Sequence, residues 1–360
     1  MRLLALTRYD RLGSSSRVRF FQYFPFLERQ GIEIFSLPLL SDEYVRRLYR
    51  GQGINPGPIA AAYLRRLAYI LRASSFDLLW VEKELFPWLP ALAERVLSWL
   101  RVPFVVDYDD AIFHRYDAHR SGFVRFALKR KIDAVMRSAN LVIAGNDYLA
   151  ARAHAAGARR VEILPSVVDL NRYALRDVHA LANIRSSRLF TIGWIGSPVT
   201  APYLSLVREP LEKICRQGNV RVVLIGAGAV DPLPEVPKDT FEWREEKEPE
   251  LLRALDVGIM PLPDNRFERG KCGYKLVQYM AAGLPVIASP VGANVKIVDH
   301  GRTGLLASTT QEWLEGLKQF KDDPEKGVLF GLAGRKRAEE FYSLDITAPK
   351  IFDLLMAVAG

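Results

Sequence analysis

Three carboxylates fall within four residues at Asp107-Tyr108-Asp109-Asp110, directly after the apolar run Phe104–Val106. Carboxylates this close repel one another unless something neutralises or uses them. Beyond a strand they could hold a cation, accept sugar hydroxyls or share a proton; the plain alternative is capping of the next helix. A richer segment runs from Arg266 to Pro285 and includes Glu268, Gly270, Lys271, Cys272, Gly273, Tyr274, Lys275, Gln278 and Gly283. Leu276, Val277, Met280 and Ala281 recur at helical spacing, so a helix starts after Gly273 and stops at Gly283 and Pro285. A helix start carrying Lys271 and Lys275 makes an anion site from free N–H groups, dipole and ammonium charge. Gln278, one turn further in, could hydrogen-bond a ribose or a base; the alternative is a solvated helix face. Gly196-Ser197-Pro198 and Gly226-Ala227-Gly228 each end an apolar run, and glycines there let a ligand approach the backbone. Gly13-Ser14-Ser15-Ser16-Arg17 reads as a flexible turn entering a helix, suited to an anion or a polar substrate, or to nothing beyond connection.

These segments need elements to place them. Short apolar runs recur at Leu3–Leu6, Ile32–Leu37, Leu78–Val81, Phe104–Val106, Leu141–Ala144 and Val161–Leu164, and helical patterns separate them. The series resumes with Phe190–Ile195, Val220–Ile225, Val257–Met260, Pro285–Ala288 and Gly304–Leu306. Continuous apolar strands alternating with helices predict parallel sheets covered on both faces, hence an α/β protein of two doubly wound domains. The polar stretch around Pro165–Ser187 marks the join. The expected division is 1–170 for the first domain, 171–187 for a linker and 188–342 for the second, with 343–360 a helix free to pack back on the first.

At 360 residues, 49% apolar and 25% charged, the chain has the balance of a two-domain globular protein, which excludes a disordered chain or a coiled coil. Two cysteines, Cys215 and Cys272, exclude a disulfide framework and lack zinc-ligand spacing. No apolar run is long enough to span a membrane, and the expected location is cytoplasmic. Net charge is +9, but residues 1–187 carry +10 and residues 188–360 carry −1. Such asymmetry suggests that the first domain faces an anionic surface. Arg115, Arg120, Arg125, Lys129, Arg130, Lys131 and Arg137 interleave with Phe123, Val124, Phe126 and Leu128, as in a basic amphipathic helix lying peripherally on the inner face of a membrane. No nucleic-acid partner is expected, since no stacking motif on a sheet is present.

The segment Gly270–Pro290 resembles the donor-binding signature of the retaining glycosyltransferases of family 4. Pro165–Tyr173, Asp256–Pro263 and His300-Gly301-Arg302-Thr303-Gly304-Leu305-Leu306 are similar to other stretches of that family, in order. The resemblance implies a GT-B fold, two Rossmann-like domains facing across a cleft. It also implies transfer of a sugar from a nucleoside-diphosphate sugar to a glycan or lipid-linked acceptor with retention of configuration, no cofactor and no obligatory metal. On that reading Asp109, Asp110 and Lys275 carry the chemistry. Gly196, Ser197, Gly226, Glu268, Lys271, Gly273, Tyr274, Lys275 and Gln278 bind the donor, while Gly13, Ser14, Ser15, Ser16 and Arg17 face the acceptor or a phosphate. Three positions depart from the family. Its two glutamates eight apart read Gly270 and Gln278, with Glu268 a substitute for the first. Its His-Asp pair reads Asp109-Asp110 unless His114 or His119 fills in, and its basic pair after the first strand of the second domain reads Gly196-Ser197. A nucleotide-sugar-binding protein that has lost catalysis is the alternative. An NAD-type oxidoreductase is disfavoured, because neither first strand is followed by GxGxxG and a distal acid.

Overall fold

The computed structural model describes residues 1–53, 55–175, 189–229 and 231–360. They form two compact units. Unit 1 comprises Met1–Ser166, Asn265–Cys272 and Leu344–Gly360; unit 2 comprises Val167–Asp264 and Gly273–Ser343. From residue 176 onward the expected linker lies outside the described residues, and the part before it belongs to unit 2, where Tyr173 is buried. The chain therefore lends one short loop, Asn265–Cys272, and one terminal helix, Leu344–Ala359, to unit 1.

Unit 1 is built on strands β1 (Arg2–Leu6), β2 (Glu33–Ser36), β3 (Leu78–Glu82), β4 (Phe104–Tyr108), β5 (Leu141–Ala144) and β6 (Val161–Ile163). They form one parallel sheet in the order β2-β1-β3-β4-β5-β6. Every residue of β3, β4 and β5 is buried, which is why these strands read as unbroken apolar runs rather than alternating ones. The strand order reverses between β1 and β3. At such a switch point the helices leave to opposite faces and a crevice opens beyond the carboxyl ends.

Unit 2 contains β7 (Phe190–Ile195), β8 (Val220–Ile225), β9 (Lys238–Phe241), β10 (Val257–Met260), β11 (Val286–Ala288) and β12 (Gly304–Leu306). Its parallel order is β12-β11-β10-β7-β8-β9, the arrangement of dinucleotide-binding sheets, with the reversal between β7 and β10. The helix Tyr274–Ala281 is locked across this switch point by one side chain. Tyr279 Oη accepts from Ile195 N at 2.9 Å and donates to Ile259 O at 3.2 Å, tying the helix to both strands. Its ring lies on Gly258, where an added Cβ would come within 2.3 Å of the ring. A residue larger than glycine in β10 would lift the helix off the sheet.

Two local expectations are corrected. Ser14–Ser16 is already helical and widens into a π-turn over Arg17–Phe21, so this stretch is not a flexible turn. The basic segment is not one helix: it divides into His114–Asp117, Gly122–Leu128 and Lys131–Ser138. The last piece turns inward because Lys131 is buried, paired with Glu84 at 2.5 Å and donating to Phe86 O at 2.6 Å.

Candidate functional site

In unit 1 the carboxyl ends of β1, β3 and β4 bring charged side chains together. Register places Glu82, the last residue of β3, beside Asp107 of β4. Asp107 does not join Asp109 and Asp110. It turns inward onto Arg19, which donates from Nε at 2.7 Å and from Nη2 at 3.1 Å, and whose Nη1 reaches Leu164 O. Burial pushes the Asp107 carboxyl up to about 6, with the Arg19 guanidinium opposing that rise. The other two acids are neutralised by lysines. Lys83 Nζ stands 2.7 Å from Asp109 Oδ1 and 3.4 Å from Asp110 Oδ2, and Lys271 Nζ stands 3.4 Å from Asp110 Oδ1. Burial alone would raise the Asp110 pKa, but Lys271 and Lys83, with Arg115, outweigh it and hold the carboxyl at about 2. Burial likewise opposes the charge on Lys83, and Asp109, then Asp110 and Glu82, outweigh it and raise its pKa. Lys83 adopts φ +66°, a left-handed backbone that side-chain-bearing residues take at a cost and that clusters at functional positions.

The serine segment divides its labour. Ser15 Oγ accepts from Lys83 Nζ at 3.3 Å, and buried Ser16 donates to Glu82 Oε2 at 2.6 Å while accepting from Tyr9 N. Arg17 is buried and donates to Arg11 O at 3.1 Å, while Gly13 packs on Tyr9, where a Cβ would lie 2.3 Å from the tyrosine Cβ. Arg17 and Ser16 therefore hold the turn. Ser15 is the serine that meets the charged cluster. His114 is engaged by Asp117 and Tyr148, and His119 lies edge-on to Trp88. Lys83 and Glu82 escaped the sequence reading. The signal was the charged triplet Glu82-Lys83-Glu84 ending an apolar strand, the same pattern that marked Asp107–Asp110.

The loop Asn265–Cys272 is riveted to unit 1. Asn146 caps the helix Asp147–Ala155 with Oδ1, and its Nδ2 donates to Gly270 O at 2.9 Å and Lys271 O at 3.1 Å. The Cys272 thiol, its pKa raised chiefly by burial, donates to Asp109 O at 3.2 Å. Gly270 lies against Ala111, and a Cβ on it would come within 2.4 Å of the alanine Cβ. The position where the resembling family carries a glutamate thus has no room for any side chain. Buried Glu268 shares this loop and follows Phe267, whose ring lies beneath both Lys271 and Arg115.

Unit 2 builds a different site at the β7–β10 switch point. Gly273, at φ +64°, starts the helix and packs on Ile297, which a Cβ would reach at 2.3 Å. Tyr274 and Lys275 form the first turn, both half-buried, and Lys275 Nζ stands 5.3 Å from the centre of the Trp194 ring. A Cβ on Gly196 would lie 3.0 Å from that ammonium. Gly226, at φ +78°, closes on Gly196, with 2.5 Å between its added Cβ and Gly196 O. Leu276–Ala281 is buried throughout, Gln278 included, so the helix has no solvated face there. A half-buried ammonium, backbone N–H groups at a helix start and side-chain-free strand ends together suit a phosphate. Among the described residues no group of three or more His, Cys, Asp or Glu is placed to hold a metal ion.

Two doubly wound parallel sheets in one chain, the second with dinucleotide-binding strand order and this helix start at its switch point, make the GT-B fold of glycosyltransferases. Family comparison agrees: residues 3–166 match the glycosyl transferase 4-like domain and residues 186–323 match the glycosyl transferases group 1. The chain belongs to the glycosyltransferases of this group 1, family 4-like type. Anabaena HepE, crystallised in complex with UDP-glucose, has the same fold at 18% identity and TM-score 0.71, covering 99% of this chain and 100% of that one. Sucrose-phosphate synthase from Thermosynechococcus elongatus follows at 16% and 0.70, covering 98% of each chain. Among curated relatives, a D-inositol 3-phosphate glycosyltransferase of Pseudarthrobacter chlorophenolicus is 31% identical over 129 residues, 34% of this chain and 28% of the relative. That match spans under a third of the relative's length.

Proposed function

We propose that the protein transfers a sugar from a nucleoside-diphosphate sugar to a glycan or lipid-linked acceptor, with retention of configuration and without an obligatory metal or other cofactor. Unit 2 holds the donor and unit 1 the acceptor. The helix start Gly273-Tyr274-Lys275 against Gly196 carries this reading, because charge on the departing diphosphate needs preorganised cations and N–H donors. Gln278 is assigned to the ribose, and Ser197, Gly226, Lys271 and Glu268 to the donor. Incubation with UDP-, GDP-, dTDP- and ADP-sugars tests it: slow hydrolysis of one donor supports turnover. Tight binding with no hydrolysis or transfer favours a nucleotide-sugar-binding protein without catalysis, a reading that the closed Gly270 position supports. Neither binding nor hydrolysis overturns both.

Asp109 and Asp110 are assigned to substrate hydroxyls. A carboxyl held at about 2 is a poor proton acceptor, so Asp110 orients rather than titrates. Asp109→Asn or Asp110→Asn is expected to cut turnover by roughly 10²-fold in at least one case, with the Tm within a few degrees of wild type. Capping does not account for the pair, because the next helix, His114–Asp117, has Phe113 at its N-cap and no side-chain cap, and a purely structural pair would leave both variants active. Equal activity of both therefore removes the assignment.

Among the described residues no helix is long and apolar enough to cross a membrane. Peripheral contact of unit 1 with an anionic surface is proposed through Gly122–Leu128, where Phe123 and Phe126 are 78% and 84% exposed beside Arg120, Arg125, Lys129 and Arg130. Basic residues gain about 1 kcal/mol each near such a surface. The chain should float with anionic vesicles at low salt, and Phe123→Ser with Phe126→Ser should reduce flotation. Absence of wild-type flotation removes this contact.

A further inference from the structure

The opposite end of the unit 1 sheet carries an arrangement that sugar transfer leaves unused. A cleft of about 880 Å³ opens where the helices Leu92–Trp99 and Lys131–Ser138 end, beside Val102 and Asn140, which precede β4 and β5. Arg95, Arg101, Arg137 and Arg159 line it with Ser98 and Trp99, and no carboxylate does. Among the described residues none of these four guanidiniums has an ion-pair partner. Four like charges around one space repel one another, and an anion placed among them relieves that repulsion.

The cations are also prepared. Arg137 Nε donates to Ala156 O at 2.9 Å and Arg159 Nη2 donates to Ser98 Oγ at 3.3 Å, so both forks are oriented before any ligand arrives. Arg101 holds φ +57°, a backbone conformation that costs energy for a residue with a side chain. Planar guanidinium forks match the paired oxygens of a phosphate and grip them more specifically than ammonium groups do. Beside the cleft, Leu92, Val96, Trp99 and Leu100 follow helical spacing on one face and are 63%, 51%, 80% and 57% exposed. An apolar stripe next to four arginines matches an acyl boundary next to a phosphate.

We propose that this cleft is a second anion site, which binds a phosphate monoester or diester at the amino end of the sheet, remote from Asp109 and Asp110 at its carboxyl end. It does not rest on the transferase reading. The ligand chemistry is the phosphate, carried either by a phospholipid headgroup or by a soluble phosphorylated molecule.

The test uses the full chain with Arg95→Gln, Arg137→Gln and Arg159→Gln combined, and separately with Leu92→Ser and Trp99→Ser. Glycerol 3-phosphate binding is read by calorimetry, and co-sedimentation is read with vesicles of phosphatidylcholine alone or mixed with phosphatidylglycerol. Losing several charge-assisted hydrogen bonds should weaken binding by about tenfold or more. A loss of anionic-vesicle binding in both variants identifies the lipid phosphate. Loss of glycerol 3-phosphate binding in the arginine variant with vesicle binding unchanged identifies a soluble ligand. Wild-type protein that binds neither probe, or an arginine variant that binds both as wild type does, overturns the site. Arg95→Gln with Arg101→Gln gives the same readout should the triple variant fail to fold, since neither side chain makes a hydrogen bond among the described residues.

Discussion

Lys275→Ala is expected to lower kcat by 10²–10³, roughly 3–4 kcal/mol of transition-state stabilisation. The ammonium occupies the first turn after Gly273, half-buried beside Trp194 and Gly196, where dipole and N–H groups already favour negative charge. The basic pair that the resembling family carries after its first strand here is Gly196-Ser197, so fewer cations share the departing diphosphate. Lys271 offers little relief, because its charge is engaged by Asp110 at 3.4 Å. Lys271→Ala should accordingly cost less than Lys275→Ala. Nucleotide affinity should fall too, since the ground-state diphosphate is already charged. Gly196→Ala is a further check: its Cβ would stand 2.4 Å from the Trp194 ring and 3.0 Å from the Lys275 ammonium and should displace both, lowering kcat with the lysine still present. Normal turnover and normal nucleotide affinity in Lys275→Ala would place the diphosphate elsewhere.

Legibility in the sequence followed burial. β7 and β10 are recoverable to the residue because their apolar runs have almost no solvent face to interrupt them, and β8 is recoverable through its buried Val222–Ile225 despite the exposed Arg221. β9 was not foreseen: Lys238-Asp239-Thr240-Phe241 is a sheet edge with three exposed residues, so nothing forces an apolar pattern on it. The helix start at Gly273 was readable because glycine, lysine spacing and the Gly283 stop act locally. What pairs with Asp107, Asp109 and Asp110 was not. Arg19 lies 88 positions from Asp107 and Lys271 lies 161 from Asp110, and only the sheet order and the inserted loop bring them together. Lys83 was hidden for another reason. A lone lysine between two glutamates reads as a solvated charge run, whereas here the strand end buries it and the left-handed backbone re-aims it.

Arg19→Met tests what holds the unit 1 cluster in place. Arg19 and Asp107 are both essentially solvent-free, and the guanidinium is shared between two carboxylate oxygens and Leu164 O. It thereby clamps the π-turn after β1 to the end of β4 and to the residue after β6, the ends that carry Ser15 and Asp109. Removing one partner of a buried pair leaves the other uncompensated, which costs roughly 3–5 kcal/mol. Urea titration should show a loss of that size at neutral pH. The loss should depend on pH with a definite sign. Burial already raises Asp107 to about 6 in the folded wild type, above its unfolded value, so its neutral form stabilises the fold at low pH and that contribution disappears as pH rises through 6. Without Arg19 the folded value rises further. The gap between wild type and Arg19→Met should therefore be flat and smallest below about pH 6, the folded wild-type value, and widen above it. Arg19→Met combined with Asp107→Leu should recover much of the stability, because no unpaired charge remains. A gap that stays constant across pH would show that the methionine variant fails through lost packing and not through the stranded carboxylate.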